Sequence, residues 1–370
     1  KWQGTIEDKE GVKVVKNPSN PIYDEISLHL KKDLSIGSED DENYMFYKVF
    51  DMDVDSQGNI YVLDSGNYRI QKFDNKGQYL QTIGKKGQGP GEFERPIRVF
   101  LDAQNNIYVN DRRKIKIFNS QGEFLNSFLL DTSVTDFYID GQGNILAQGR
   151  RLNRDGIKKV IIIMNSAGKT IKSIKEFPDF MPAMVNTGNS TIALTVPHEY
   201  SSKLFFVALD EQTFSYCFSS EYRLTVIDNN GNILLEIEKE ETSSPISQKE
   251  KEFILKREEE NLQIGIPISR KILEKACHFP RYRPFFDKVI IDNKQRFYVK
   301  RVEVVTNKSK FSEFDIFSRE GYYLYKIKLP FTPEIIRNGY LYDIYKSEET
   351  GEITINRYIV LNWDQIKTGI

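Results

Sequence analysis

The chain alternates short apolar runs with turns rich in Asp, Asn and Gly. Residues 51–84 read DMDVDSQGNIYVLDSGNYRIQKFDNKGQYLQTIG, and residues 99–129 read VFLDAQNNIYVNDRRKIKIFNSQGEFLNSFL. A looser copy follows across 137–174, FYIDGQGNILAQG and then VIIIMNSAGKTIKSI. In each copy an aspartate (Asp55, Asp102, Asp140) stands shortly before an asparagine (Asn59, Asn106, Asn144), and an apolar strand follows. The asparagines are spaced 47 and 38 residues apart. A period of that size holding four short strands predicts a propeller blade.

A second mark runs further along the chain. Turns ending in Gly join two strands at 74–77 (DNKG), 119–122 (NSQG), 165–168 (NSAG), 228–231 (DNNG) and 318–321 (SREG). The Gly supplies the positive φ of a tight hairpin. A sixth unit, GYLYDIY (339–345) with EITINRYIVLNW (352–363), lacks this mark. Its missing strand is at the other terminus. SLHLKKDLSIG (27–37) resembles GQYLQTIG (77–84), and Gly37 precedes Asp55 by the same 18 residues that separate Gly84 from Asp102. Closing a ring with both chain ends removes exposed sheet edges.

The spacing therefore predicts an all-β, six-bladed β-propeller with four-stranded antiparallel blades, forming one domain over 1–370. The blades fall near 44–84, 93–130, 132–175, 186–238 and 284–330, and the sixth combines 334–363 with 25–37. An N-terminal arm (1–24) is left over. Its GVKVVKN stretch (11–17) has strand propensity and is expected to lie on blade 6, with self-association of subunits through the arm as the alternative. Residues 176–203 carry Pro178, Pro182 and Pro197 and read as loop. Residues 239–283 read as a helical insertion. Ser247 and Glu250 form a capping box, Phe253, Ile254 and Leu262 make an apolar stripe, and a second short helix is expected from Pro267 to about Ala276. Strand alternation puts b–c and d–a connections on one face, so both insertions share it. That face is where loops on a rigid scaffold carry function.

NIYVLDSGNYRIQKFD followed by GKKGQGPGEFERP resembles an NHL repeat, most specifically over residues 44–130. The whole chain is similar to bacterial six-bladed propeller proteins with NHL-like repeats, many of them exported or lipid-anchored. The resemblance implies this fold and export. Lys rather than Met at position 1 fits a processed or truncated segment.

Composition narrows the partners. Lys and Arg number 52 against 53 Asp and Glu, which removes the electrostatic argument for nucleic acid or an anionic membrane. No apolar run is long enough for a transmembrane segment. Cys217 and Cys277 are expected as buried free thiols. Arginines gather on the insertion face: Arg98 at the start of blade 2, Arg112 and Arg113 in its b–c loop, and Arg150, Arg151 and Arg154 in that of blade 3. HFPRYRPFF (278–286) adds Arg281, Tyr282 and Arg283, flanked by Phe279 and Phe285, and Arg301 leaves the second strand of blade 5. Arg98, Arg113, Arg150, Arg281, Tyr282, Arg283 and Arg301 are the expected binding residues for a protein partner or an anionic or glycan ligand.

Catalytic signatures are weak. His29, His198 and His278 fall in different units, and no zinc spacing, nucleophile elbow or P-loop occurs. The glycine-rich 84–93 leads into a strand, not a helix, and reads as a turn. Asp64, Asn67, Asn110 and Asp111 could mimic the channel ion site of lactonase-type propellers, although such residues also make turns. No cofactor, metal or catalytic residue is assigned. The chain reads as an exported binding or scaffold module. A subunit of a homo-oligomer or extracellular filament, and a metal-dependent lactonase or hydrolase, are the alternatives.

Overall fold

A computed structural model describes residues 2–154, 156–186, 190–262, 268–307 and 309–370. Six blades form, each with strands a to d from the channel outward. Blade 1 uses Val49–Val54, Ile60–Asp64, Arg69–Phe73 and Tyr79–Ile83, and blade 2 uses Pro96–Leu101, Ile107–Asp111, Lys114–Phe118 and Phe124–Leu129. Blade 3 runs from Ser133–Ile139 to Thr170–Pro178, blade 4 from Leu204–Ala208 to Ile233–Lys239, and blade 5 from Phe286–Ile291 to Tyr323–Leu329. Blade 6 takes Ile335–Arg337, Tyr340–Lys346 and Ile353–Val360 from the C-terminal end. Its outer strand is β3 (Leu30–Ile36), in antiparallel register with Ile355 opposite Ile36.

The repeating aspartates explain why these turns form. Asp55 Oδ1 accepts the backbone N–H of Gln57 and Asn59 at 2.9 and 2.8 Å, and its Oδ2 accepts the Asn59 side-chain amide at 2.8 Å. Asp102 and Asp140 repeat the set. The c–d hairpins use Asp74, Asn119, Asn165 and Asp228 in the same way, each satisfying two turn N–H groups. A local side chain thus supplies the acceptor that a turn otherwise lacks. Strands packed face to face fill the spaces between blades with buried Val, Ile, Phe and Tyr.

The arm is placed differently from expectation. β1 (Thr5–Lys9) and β2 (Val12–Asn17) form a hairpin, and β2 runs parallel to the outer strand of blade 4, not blade 6. Val14 and Val15 are fully buried there. Residues 22–26 then bond along the outer strand of blade 5 through Ile22, Tyr23 and Ile26 N–H groups. The N-terminal segment is therefore a belt over blades 4, 5 and 6. Spacing to Asp55 located β3 alone and carried no information on what precedes it. Asn17 is the buckle. Its amide donates to the Glu238 and Gly321 carbonyls at 3.1 and 2.8 Å, and its oxygen accepts Trp2 Nε1 and Tyr323 N–H at 3.1 and 2.8 Å.

The insertions also differ in detail. Strand a of blade 4 begins at Leu204, not near 186. The preceding segment is not all loop, because Ala183–Asn186 and Thr191–Leu194 pair as a hairpin outside the ring. Helix α1 (Gln248–Asn261) has the capping box at Ser247 with both of its bonds. Its buried apolar positions are Ile254 and Leu255, while Phe253 is 40% exposed. Helix α2 (Arg270–Cys277) is capped by Ser269. The expected start at Pro267 lies outside the described residues. Hairpin and helices share one small core of Ala183, Val196, Leu255, Leu273, Ala276 and Cys277. The two insertions thus make a single cap.

Asn17→Ala is expected to lower stability by roughly 2–3 kcal/mol, because two donors and two acceptors lose their partner in a buried seam. Urea unfolding measures this. The solution mass should stay that of the wild type, since the belt is folded on its own molecule.

Candidate functional site

Strand a is innermost in every blade, and the six strands enclose a channel of about 1430 Å³. Alternate residues on a strand share a face. Asp51, Asp53 and Asp55 of blade 1 therefore all line it, as do Arg98, Phe100 and Asp102 of blade 2 and Asp136, Tyr138 and Asp140 of blade 3. The D-x-D-x-D stretch at 51–55 was the signal for an acidic channel wall, once strand a is known to be innermost.

Arg98 is the centre of this wall. Its Nη1 lies 2.8 Å from Asp51 Oδ2, its Nε lies 2.7 Å from Asp136 Oδ1, and the guanidinium sits over the Tyr138 ring. Burial pushes the Asp51 carboxyl up to about 6, against the lowering effect of the Arg98 charge, and burial raises Asp136 as well. Both carboxylates hold Arg98 in its charged form, well above its usual range despite desolvation. An arginine expected to receive an outside anion is instead held between two internal ones.

The other predicted residues are brought to separate places. Arg150 pairs with buried Asp179 at 2.7 Å. Arg283 pairs with Glu250 at 2.9 Å and sits over the Tyr200 ring. Burial alone would raise the Glu250 carboxyl, but hydrogen bonds from Arg283, Ser247 and Tyr200 lower it to about 2. Tyr200 comes from the first insertion and Glu250 from the second, and Val305 N–H of blade 5 donates to the Tyr200 hydroxyl at 3.0 Å. Arg283 is therefore a tie within the cap. Arg301 contacts Glu241 at 2.9 Å and Asp315 at 3.5 Å. Beside it, fully buried Lys239 bonds Asp315 and lies between the Tyr222 and Tyr323 rings. This ionic seam joins blades 4 and 5. Arg113 donates to the Leu130 and Asp131 carbonyls. Arg281 is exposed and sits against exposed Tyr282. The seven residues do not converge on one anion pocket, because four of them neutralise carboxylates of their own chain.

The candidate ion-binding set also has other work. Asp64 accepts the Tyr47 and Lys48 N–H groups and the Asn67 amide, and Asp111 accepts those of Glu94 and Arg95. Each clips a d–a connection to the end of strand b. Asn110 donates to the Val134 carbonyl. His198 and His278 are both in the cap. His198 Nε2 lies 2.8 Å from the Cys277 carbonyl, and His278 stacks on Phe180. His29 lies at the start of blade 6's outer strand. Cys217 and Cys277 are buried free thiols, raised by burial to about 12 and about 11.

Residues 48–209 match a family model described as a 6-bladed beta-propeller (DUF5128). Mouse NHL repeat-containing protein 3 is 33% identical over 106 residues, covering 26% of this chain and 30% of its own. The chain spans no more than 30% of the length of the curated relatives it matches first. A Bacteroides fragilis structure described as an exported protein aligns over 94% of this chain and 99% of its own, with a TM-score of 0.55 and 14% identity. A Bacteroides vulgatus member of the DUF4221 family aligns over 90% and 97%, with a TM-score of 0.53 and 14% identity. The six-bladed propeller and the NHL-repeat relationship read from the sequence both stand. These structural likenesses show the fold alone. Among the described residues no helix is long and apolar enough to cross a membrane.

Arg98→Gln should destabilise the protein by about 2–4 kcal/mol at neutral pH, because Asp51 and Asp136 then face each other without a cation. Both carboxyls are raised, so acid relieves the repulsion by protonating them. In the wild type, the stability that Asp51 contributes is present below its unfolded value near about 4 and is lost as pH rises through about 6. In the variant the deficit should shrink at mildly acidic pH. Urea unfolding at neutral and mildly acidic pH measures it, and equal deficits would separate the carboxylates from Arg98.

Proposed function

We propose that the protein is an exported, non-enzymatic binding module that engages a partner through the face bearing the cap. The observation that supports this is where apolar side chains remain uncovered. Met45, Tyr47, Leu152, Met184, Phe311 and Tyr345 are all exposed, with Tyr47 at 74% and Leu152 at 70%; Met45, Tyr47, Met184 and Phe311 come from b–c or d–a connections, and Leu152 and Tyr345 lie at the b–c ends of their b strands. The opposite face, among the described residues, exposes Leu361 and Ile370 of the C-terminal tail. Most of the remaining exposed apolar residues sit singly along outer strands, for example Leu80, Leu125 and Ile171. Scattered exposure is ordinary for a soluble surface. Aromatic and Met side chains gathered on one face are the composition of an interface. The face is also rigidly presented, because Asp64 and Asp111 clip its connections to the blades.

Export is supported by the exported-protein description of one structural neighbour and by the sequence resemblance. The non-enzymatic reading is supported by the roles of the candidate polar residues, which are occupied in turns, clips and ion pairs.

A photo-cross-linking residue placed at position 47, 152 or 184 should yield adducts with another polypeptide in the exporting cell. The same residue at position 125, on the outer strand of blade 2, should yield few. Equal adduct formation at both locations would overturn the assignment of the face.

A further inference from the structure

Charge on the cap face is unevenly spread, although exposed Lys48 and Lys346 stand among the acids and exposed Asp131 among the bases. Glu39, Asp40, Asp41 and Glu42 lie between blades 6 and 1, and Glu348 and Glu349 lie in the b–c loop of blade 6. All six are exposed and join no ion pair among the described residues. Blades 2 and 3 present the opposite sign. Lys86, Arg95, Arg112, Arg113, Lys114 and Arg154 are exposed, and among the described residues the one ion pair they make is Arg112 to Glu94 at 3.4 Å. The whole chain carries 52 basic and 53 acidic side chains, so this is a partition of a nearly neutral surface.

The basic arc spans two neighbouring blades. Arg113 bonds the carbonyls of Leu130 and Asp131, and that connection leads into Ser133, whose strand partner is Arg150 in the run ending at Leu152 and Arg154. It is also rigid at its tip. Arg112 and Arg113 form the short turn between Ile107–Asp111 and Lys114–Phe118, and Arg112 has a φ of +63°. That region favours Gly or Asn over a long side chain. Asp111 beneath it is pinned by the Glu94 and Arg95 N–H groups and by buried Lys116 at 3.1 Å. The turn that carries Arg112 and Arg113 is thus fixed at its base.

We infer that this arc docks an acidic segment of a polypeptide, with apolar residues set among its acids. This rests on the binding-face reading above and specifies the chemistry of the partner. Charge complementarity selects the acids, because Arg95 and Arg154 present planar guanidinium forks suited to carboxylates, with Lys86 and Lys114 beside them. Exposed Leu152 and Met184 select a polypeptide over a sugar chain, since these aliphatic side chains offer no flat ring face for a pyranose to stack on. The acidic arc opposite would repel the same segment and so fixes where it lies.

The test uses the purified chain and a fluorescein-labelled peptide of repeated Glu-Glu-Leu, followed by anisotropy. Binding should weaken as salt is raised. Arg112→Glu with Arg154→Glu should weaken it roughly tenfold, and adding Arg113→Glu should weaken it further. Glu348→Lys with Glu349→Lys should leave it unchanged or slightly tighter. Thermal melts verify that each variant stays folded, which matters for Arg113 because it anchors two carbonyls. Equal affinity for a Lys-Lys-Leu peptide, or indifference to the arginine reversals, would overturn the inference. So would binding of polygalacturonate in place of the acidic peptide. If peptide binding fails while cross-links at 47, 152 and 184 persist, the partner chemistry falls and the binding face stands.

Discussion

A ring of sheets is stable only when it is shut, and here the latch is the pairing of Ile353–Val360 with β3. Without it, blade 6 has three strands, and the buried faces of blades 1 and 6 lose their common packing around Ile36, Ile355 and Phe73. Everything else described depends on that closure. The channel exists because six a strands are held at fixed angles. The arginine turn of blade 2 is fixed because its blade cannot rotate. The cap sits over blades 4 and 5 because the ring keeps its two root points at constant separation.

The blades were legible because their signals are local. Asp55 and Asn59, or Asp228 and Asn232, are four residues apart and bond each other directly. A side chain that satisfies its own turn leaves a mark in sequence whatever surrounds it. β3 was legible for a related reason, since it keeps the repeat's spacing across the chain ends. The belt carries no such mark. Val14 and Val15 say strand, but only the groove beside Leu235 and Ile237 says which blade. The cap was half legible: Ser247 and Glu250 announced the start of α1, while its merger with the hairpin at 183–194 depends on contacts between segments far apart in sequence.

The arginines show why site reading from one chain is harder than fold reading. Arg98, Arg150, Arg283 and Arg301 look like ligand residues because they sit near loops and channel walls. Their partners, Asp51, Asp136, Asp179, Glu250 and Glu241, lie 29 to 60 residues away. Nothing in a local window reveals that pairing. What remains after internal neutralisation is the informative quantity, and it moves attention from those four to Arg95 and Arg154.

The belt has a consequence for the order in which the molecule is built. Residues 2–36 are synthesised before the blades, yet they dock on the outer strands of blades 4 and 5 and on the third strand of blade 6. Blades 1 to 3 draw all of their strands from contiguous sequence and can form as they emerge. β3 must wait for its partner through the synthesis or translocation of some three hundred residues, and β2 for its own through somewhat over two hundred. Contacts of such separation are the slow ones in folding, and an idle β-prone terminus is exposed to wrong pairings meanwhile. The composition of β2 suits that wait. Lys13 and Lys16 break up the valines of 12–16, and Pro18 and Pro21 follow shortly, so this strand is ill suited to starting an aggregate.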